Sequence, residues 1–133
     1  MERRDYLERE IEKMRAVLQK IFRMRVDKEE EVPEAISSEL NRYFNISLQQ
    51  IQQMSEDEFR AFIRSKNPSL TDFIGHLLYA SVKPENQQTE TGRLTLHKTL
   101  IAWEAWEAKT RTFDLQLVKA KEEIVAILNT KSN

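Results

Sequence analysis

The side chains best suited to chemistry in this chain of 133 residues are two histidines and one pair of glutamates. Cysteine is absent, so thiolate catalysis, disulfide bonds and cysteine-ligated zinc are excluded. His76 and His97 are the only histidines, and they lie far apart in the sequence. A lone histidine is usually a structural or surface residue, so we predict neither to be a metal ligand and we predict no cofactor.

Glu104 and Glu107 lie one helical turn apart, beside Trp103 and Trp106. A carboxylate pair of this kind can be a buried acid pair in a cleft, where strongly raised pKa values indicate a catalytic site. It can also be the solvated flank of a charge-rich helix, which we favour. The chain has only two glycines, and it contains neither a Gly-x-Ser-x-Gly elbow nor a glycine-rich phosphate loop. We therefore predict that the protein is not an enzyme.

The charge of the chain is nearly balanced, with 21 lysines and arginines against 22 aspartates and glutamates. Proteins that bind nucleic acid usually carry a basic excess, and none is visible here. A helix-turn-helix drawn over residues 47–66 would direct the carboxylates of Glu56, Asp57 and Glu58 at phosphates. A nucleic-acid-associated regulator stays an alternative that requires certain basic residues to cluster on one face, namely Arg3, Arg4, Arg9, Arg23 and Arg25.

Apolar spacing predicts a long first helix, from residue 5 to about residue 28. Its apolar residues recur at steps of four, three, four and three, which forms one seam that needs a second surface to cover it. The seam consists of Leu7, Ile11, Met14, Leu18 and Ile21. Val17, Phe22 and Met24 widen this stripe, which favours packing inside a globular bundle over a free coiled coil.

Prolines and capping residues predict the helices in the middle of the chain. The predicted helix starts are Glu34 behind Pro33, Ser47, Ser55 with Glu58 as its capping-box partner, and Asn67 before Pro68. The polar segment 84–92 lacks apolar periodicity and is predicted to be a long loop.

The last third of the chain predicts a helical hairpin. Its first helix is expected over residues 93–109, and its second is expected to start behind Thr112 as the cap. The apolar residues of the second helix align at helical spacing, namely Phe113, Leu117, Ala120, Ile124 and Ile127. Residues 130–133 are predicted to be a frayed tail. The hairpin resembles a single tetratricopeptide-type unit, whereas a stable stack needs about three.

Two stretches carry a resemblance to a known group of proteins. They are Arg3-Arg4-Asp5-Tyr6-Leu7 with Ile11-Glu12-Lys13, and the section from Phe44-Asn45-Ile46 to Ser55-Glu56-Asp57-Glu58-Phe59. Both are similar to an uncharacterised family of small cytoplasmic bacterial all-helical proteins. That family has no assigned activity, so the resemblance transfers no site residue. A charged N-terminus and the absence of any window of ~18 apolar residues agree with a cytoplasmic protein without a membrane segment.

These patterns predict a single all-α domain over residues 1–133, a compact bundle of five or six helices with a long N-terminal helix and a C-terminal helical hairpin. The predicted function is a non-catalytic protein–protein interaction or scaffold module, with a protein partner or a second copy in a homodimer. No small-molecule ligand is implied, and an enzyme with carboxylates in a helical cleft is the third alternative. The expected interaction surface is Leu7, Ile11, Met14, Leu18, Trp103 and Trp106, and whether the two tryptophans are core or groove is left open.

Overall fold

A computed structural model describes residues 2–130 of the chain, with side chains from Glu8 onward. Within that range the fold is all-α, as predicted, with seven α-helices and no strand. The helices are α1 (Glu2–Asp27), α2 (Val32–Phe44), α3 (Leu48–Gln53), α4 (Glu56–Arg64), α5 (Pro68–Ser81), α6 (Glu90–Thr110) and α7 (Leu115–Asn129). Seven helices is more than the five or six of the predicted bundle, and α3 and α4 each begin at a complete cap on the predicted residues Ser47 and Ser55.

The predicted caps of the middle helices are confirmed. The side-chain oxygens of Ser47 and Ser55 each accept a hydrogen bond from the third residue of the following helix, and both complete a capping box. Asn67 Oδ1 accepts from the backbone N–H of Leu70 at 2.9 Å, with Pro68 as the first residue of α5. Each cap satisfies N–H groups that a helix start otherwise leaves without a partner.

The predicted cap of α7 is wrong by two residues. Asp114, not Thr112, caps α7, since its Oδ1 accepts from the backbone N–H groups of Gln116 and Leu117 at 2.9 and 3.3 Å. The helix therefore begins at Leu115, and Phe113 lies before it with 76% of its surface exposed. Phe113 does not belong to the buried side of α7, which includes Leu117 and Ile124.

The polar segment after α5 is shorter than the predicted loop. Residues Pro84–Asn86 form a 3₁₀ turn, and Thr89 caps α6 by accepting a hydrogen bond from the backbone N–H of Gly92 at 3.0 Å. Because of this cap, α6 begins at Glu90 rather than near residue 93. The predicted tail starts where α7 ends, and residues 131–133 lie outside the described part of the chain.

Within the described chain, α5 and α6 form the most extensive contact between two helices. Gly75 of α5 and Ala102 of α6 are buried small residues, and the indole ring of Trp103 lies against Gly75. A β-carbon at Gly75 would lie 2.5 Å from Cδ1 of Trp103, far inside van der Waals contact. Glycine is therefore the residue that lets the large, fully buried Trp103 approach α5 this closely.

The seam of α1 packs against α2 and α5. Met14 and Ile21 are buried, and Ile11 and Leu18 are half-buried against the same apolar core. The surface that the seam required is thus supplied by the chain itself.

Three cationic side chains of α6 bind the carboxyl-terminal ends of other helices. The pairs are Arg93 with the carbonyl oxygens of Leu128 and Thr130 at 2.6 and 3.2 Å, Lys98 with that of Gln52 at 3.2 Å, and Lys109 with that of Lys66 at 2.8 Å. The last carbonyls of a helix lack partners within the helix and carry a partial negative charge, so a cation there is favourable. Through these contacts α6 holds the ends of α7, α3 and α4.

Candidate interaction surface

Two of the six residues predicted to form an interaction surface lie in the core of the chain. Trp103 is 0% exposed and Met14 is 6% exposed. The prediction is wrong for both, because α5 covers Trp103 and the core formed with α2 and α5 covers Met14. The remaining four divide as follows: Ile11, Leu18 and Trp106 are half-buried, and the side chain of Leu7 lies outside the described residues.

The two tryptophans, three residues apart on α6, have different environments. Trp103 belongs to the core, whereas Trp106 lines a shallow groove of about 230 Å³ between α1 and α5. Leu18 and Asp72 line the same groove. Trp106 is therefore at a groove rim and Trp103 is core, which answers the question that the sequence left open.

His76 has a carboxylate partner that the sequence analysis missed. Its Nε2 lies 3.3 Å from Oδ1 of Asp72, one helical turn earlier on α5, and its ring packs edge-on against Trp103 with centroids 5.2 Å apart. The four-residue spacing of Asp72 and His76 was the available signal. His97 is exposed, and among the described residues no three histidines, aspartates or glutamates come together as a metal site.

Tyr79 connects α5 to α7. Its hydroxyl donates a hydrogen bond to Oε2 of Glu123 at 3.1 Å, and its ring packs against Trp103 with centroids 5.5 Å apart. Burial raises the pKa of the Tyr79 phenol, and the hydrogen bond with Glu123 and the negative charge of Glu123 raise it further. The phenol therefore stays protonated at neutral pH and serves as a donor.

The glutamates beside the tryptophans are not held together as a buried acid pair. Glu107 Oε1 accepts a hydrogen bond from Nζ of Lys121 at 2.6 Å, an ion pair that joins α6 to α7. Glu104 is exposed beside a shallow groove between α4 and α6, where Lys109 also lies. The solvated-flank interpretation describes Glu104, and Glu107 has a structural partner.

The exposed large apolar side chains of the described chain occur only in α1 and in the C-terminal hairpin. On α1 they are Phe22 and Val26, which are 41% and 85% exposed. In the hairpin Phe113 and Leu115 are the most exposed, and Leu94 and Val125 are the others. Single exposed apolar residues are common on protein surfaces, but here the central helices α2 to α5 expose none of this class.

The connection between α6 and α7 is fixed at both ends. Arg111 ends α6 in the left-handed conformation, with φ 53°, and its backbone N–H donates to the carbonyl of Glu107 at 2.7 Å. At the other end, Asp114 caps α7. Phe113 and Leu115 stand on either side of this cap, so the two exposed apolar side chains are held on an ordered turn.

The outward side of α1 combines apolar and basic side chains. Phe22, Val26, Arg15 and Arg23 are all exposed. Residues 13–28 include six basic residues and a single acidic one, Asp27. Within the described residues, neither Arg15 nor Arg23 forms an ion pair. The balanced net charge of the whole chain therefore conceals a local basic surface.

Comparison with known proteins does not identify a relative. No family model matches the chain, and no curated protein or solved structure is detectably similar to it. None of the described helices has both the length and the apolar character to cross a membrane.

Proposed function

We propose that this protein is a non-catalytic protein–protein interaction module whose contact surfaces are its N-terminal helix and its C-terminal hairpin. The observation that carries the proposal is the confinement of the exposed large apolar side chains to those two parts of the described chain. Burial of such side chains against a partner is favourable by ~25 cal/mol per Å² of apolar surface. Aromatic residues such as Phe113 are also enriched in protein–protein interfaces.

The non-catalytic part of the proposal is supported by the pairing of polar side chains with one another within the chain. Asp72 is paired with His76, Tyr79 with Glu123, and Glu107 with Lys121. Each group therefore has a partner within the chain, and two of the three pairs join different helices. This arrangement favours a structural role for these side chains.

For the hairpin we propose self-association through the α6–α7 connection. Exposed Arg111 and Asp114 carry opposite charges on either side of Phe113. In a two-fold symmetric pair the same patch meets itself, so Arg111 of one copy can face Asp114 of the other while the Phe113 rings pack together. This patch is thus self-complementary in charge as well as apolar. The cytoplasmic location and the likeness to the bacterial family remain predictions from the sequence.

The test of self-association is the solution mass measured by light scattering across ~1 µM to ~1 mM protein, which covers micromolar to millimolar dissociation constants. One chain has a mass of 15.8 kDa, so we expect the apparent mass to double with concentration. Phe113→Ser combined with Leu115→Ser should keep the protein monomeric, and Val125→Ser, an exposed apolar truncation on the same helix as Leu115, should not. Two results together would contradict the proposal. The mass would stay monomeric at every concentration, and immobilised wild type would retain no more protein than the immobilised double variant.

The alternative of a nucleic-acid-associated regulator is favoured by one observation, the basic stretch 13–28, of which all but Lys28 lies in α1. Arg23 within this stretch and Arg9 just before it are exposed, and Arg25 is half-buried. The side chains of Arg3 and Arg4 lie outside the described residues. Acidic residues border this stretch on both sides, so it offers only a short surface to a long polyanion.

A further inference from the structure

We propose that the outer face of α1 binds an acidic amphipathic helix of a partner protein. This outer face consists of Arg15, Gln19, Phe22, Arg23 and Val26, all of them exposed. The proposal rests on the function proposed above and names the partner chemistry for the surface at the N-terminal helix. It is independent of the contact proposed for the hairpin.

The five residues share one side of α1. They lie at intervals of four, seven, eight and eleven from Arg15, which is the spacing of a single helical face. Met14 and Ile21 mark the buried side of the same helix. The outer face is therefore an unpartnered side of a helix that the core already holds in place.

The centre of the outer face is apolar. Phe22 and Val26 are one helical turn apart, a rise of ~6 Å, and Val26 is the most exposed large apolar residue in the described chain. Side chains with this spacing lie next to each other along a helix and form a continuous apolar strip. A leucine or another apolar side chain of a partner can cover both at once.

Arg15 and Arg23 share the outer face with this apolar centre. Asp27 borders the face beside Val26, so the face carries two positive charges against one negative charge. Arg23 follows Phe22 directly, and Arg15 lies two turns before it, and neither has an ion-pair partner among the described residues. A guanidinium group can bind a carboxylate through two parallel hydrogen bonds, so acidic side chains beside an apolar stripe match this arrangement. Complementary charge also increases the association rate and excludes basic partners.

The extent of the basic surface favours a short helix over a nucleic acid. Residues 13–27 span ~21 Å along α1, and Lys28 follows the helix directly. Acidic residues stand at both ends of this basic stretch, Glu12 before it and Glu29–Glu31 after it. A duplex carries a phosphate charge every ~1.7 Å along its axis, so it would continue past the basic stretch toward these carboxylates. It would also leave Phe22 and Val26 without an apolar partner. An acidic amphipathic helix of the same length would end before these carboxylates and would cover Phe22 and Val26 with its apolar side.

The experiment uses the full chain and a labelled peptide followed by fluorescence anisotropy. The probe is a fluorescein-labelled helix-forming peptide of glutamate, alanine and leucine, ~18 residues or ~27 Å long, with its leucines on one face. We expect saturable binding to the wild type. Arg23→Glu should weaken it by ~10-fold or more, because the arginine contact becomes repulsive. Phe22→Ser combined with Val26→Ser should weaken it by a similar factor.

Two variants on α7 serve as matched controls. Lys119→Glu makes the same change of charge at an exposed position away from the outer face, and Val125→Ser removes an exposed apolar side chain there. Both should bind the peptide within ~2-fold of the wild type, which is about 0.4 kcal/mol. A second peptide of identical composition, with its leucines distributed around the helix, should bind ~10-fold more weakly. Circular dichroism of each variant verifies that it is folded.

The proposal is overturned if the peptide does not bind, if both peptides bind equally, or if the α7 controls weaken binding as much as Arg23→Glu. It is also overturned if a short DNA duplex binds the wild type more tightly than the peptide and is lost in Arg23→Glu, because the surface would then be a nucleic-acid site. Self-association through Phe113 and Leu115 without peptide binding refutes this inference alone. If both experiments fail, the proposed interaction function fails with it.

Discussion

Replacement of Gly75 by alanine provides a sharp test of how α5 and α6 pack. The new β-carbon would overlap Nε1 of Trp103 and would lie 2.5 Å from Cδ1 and 3.2 Å from Cε2 of the same ring. Non-bonded carbon atoms prefer separations of ~3.5–4.0 Å, so the ring or the helix must move by ~1 Å. Trp103 is fully buried, so its indole can shift only if the side chains packed around it move as well.

Two opposing terms determine the size of the effect. Alanine in place of glycine favours a helix interior by ~1 kcal/mol. Overpacking of a well-packed core destabilises by ~1–3 kcal/mol, and occasionally more. Because two atoms of a rigid ring are involved, we expect the upper part of that range and a net loss of ~2 kcal/mol in the free energy of unfolding. Such a loss is a substantial part of the ~5–15 kcal/mol that stabilises a typical domain.

The assay is urea unfolding followed by far-ultraviolet circular dichroism for the wild type, Gly75→Ala, Trp103→Phe and the double variant. Phenylalanine is smaller than tryptophan and removes the indole nitrogen that the new methyl group would overlap. The alanine should therefore be tolerated better in the double variant, with a coupling free energy of ~1–2 kcal/mol. Strictly additive effects, or a Gly75→Ala protein as stable as the wild type, would refute the packing argument.

Gly92→Ala is the matched control for this cycle. A β-carbon at Gly92 would meet the backbone carbonyl of Asn86 in the 3₁₀ turn and the hydroxyl of Thr89, the cap of α6. We expect that substitution to destabilise the protein as well. Trp103→Phe should not relieve its effect, because the clash does not involve the indole ring.

Four further outcomes follow from the contacts that hold helix ends. Arg93→Met should destabilise the protein by ~1–3 kcal/mol and should increase amide hydrogen exchange first at the end of α7, because the carbonyls there lose a charged donor. Ser55→Ala should lower stability by ~1 kcal/mol in urea unfolding through loss of the cap. The hydrogen bonds with Ser55 lower the pKa of Glu58. The stabilisation by Glu58 should therefore be present above pH 4.5 and should fall as pH drops through the lowered pKa. Glu58→Gln should remove this pH dependence. Burial lowers the pKa of Lys98 below 10.5, so the wild type should gain stability relative to Lys98→Met as pH rises from neutrality through the lowered value. A pH-independent difference would show that the lysine is not buried as a charge.

The sequence predicted which helices carry exposed apolar residues more readily than it predicted which side of a helix is exposed. Both predicted contact elements, the N-terminal helix and the hairpin, are the parts that carry the exposed apolar residues. The predicted side was wrong for α1, since the regular seam with Met14 packs inward and Phe22 and Val26 point outward. A regular apolar seam is the side of a helix most easily covered by its own chain, so periodicity identifies the inner face.

The sequence by itself determined the all-α fold and most helix starts. The local signals are the spacing of apolar residues, the prolines, and caps such as Ser47, Ser55 and Asn67. They act within one or two helical turns, so their effect does not depend on the rest of the chain. Only the tertiary structure decided that Trp103 is core while Trp106 lies at a groove rim, and that three cations of α6 bind the ends of distant helices. These outcomes depend on which helices meet and how closely, and a single glycine on α5 sets that distance for Trp103.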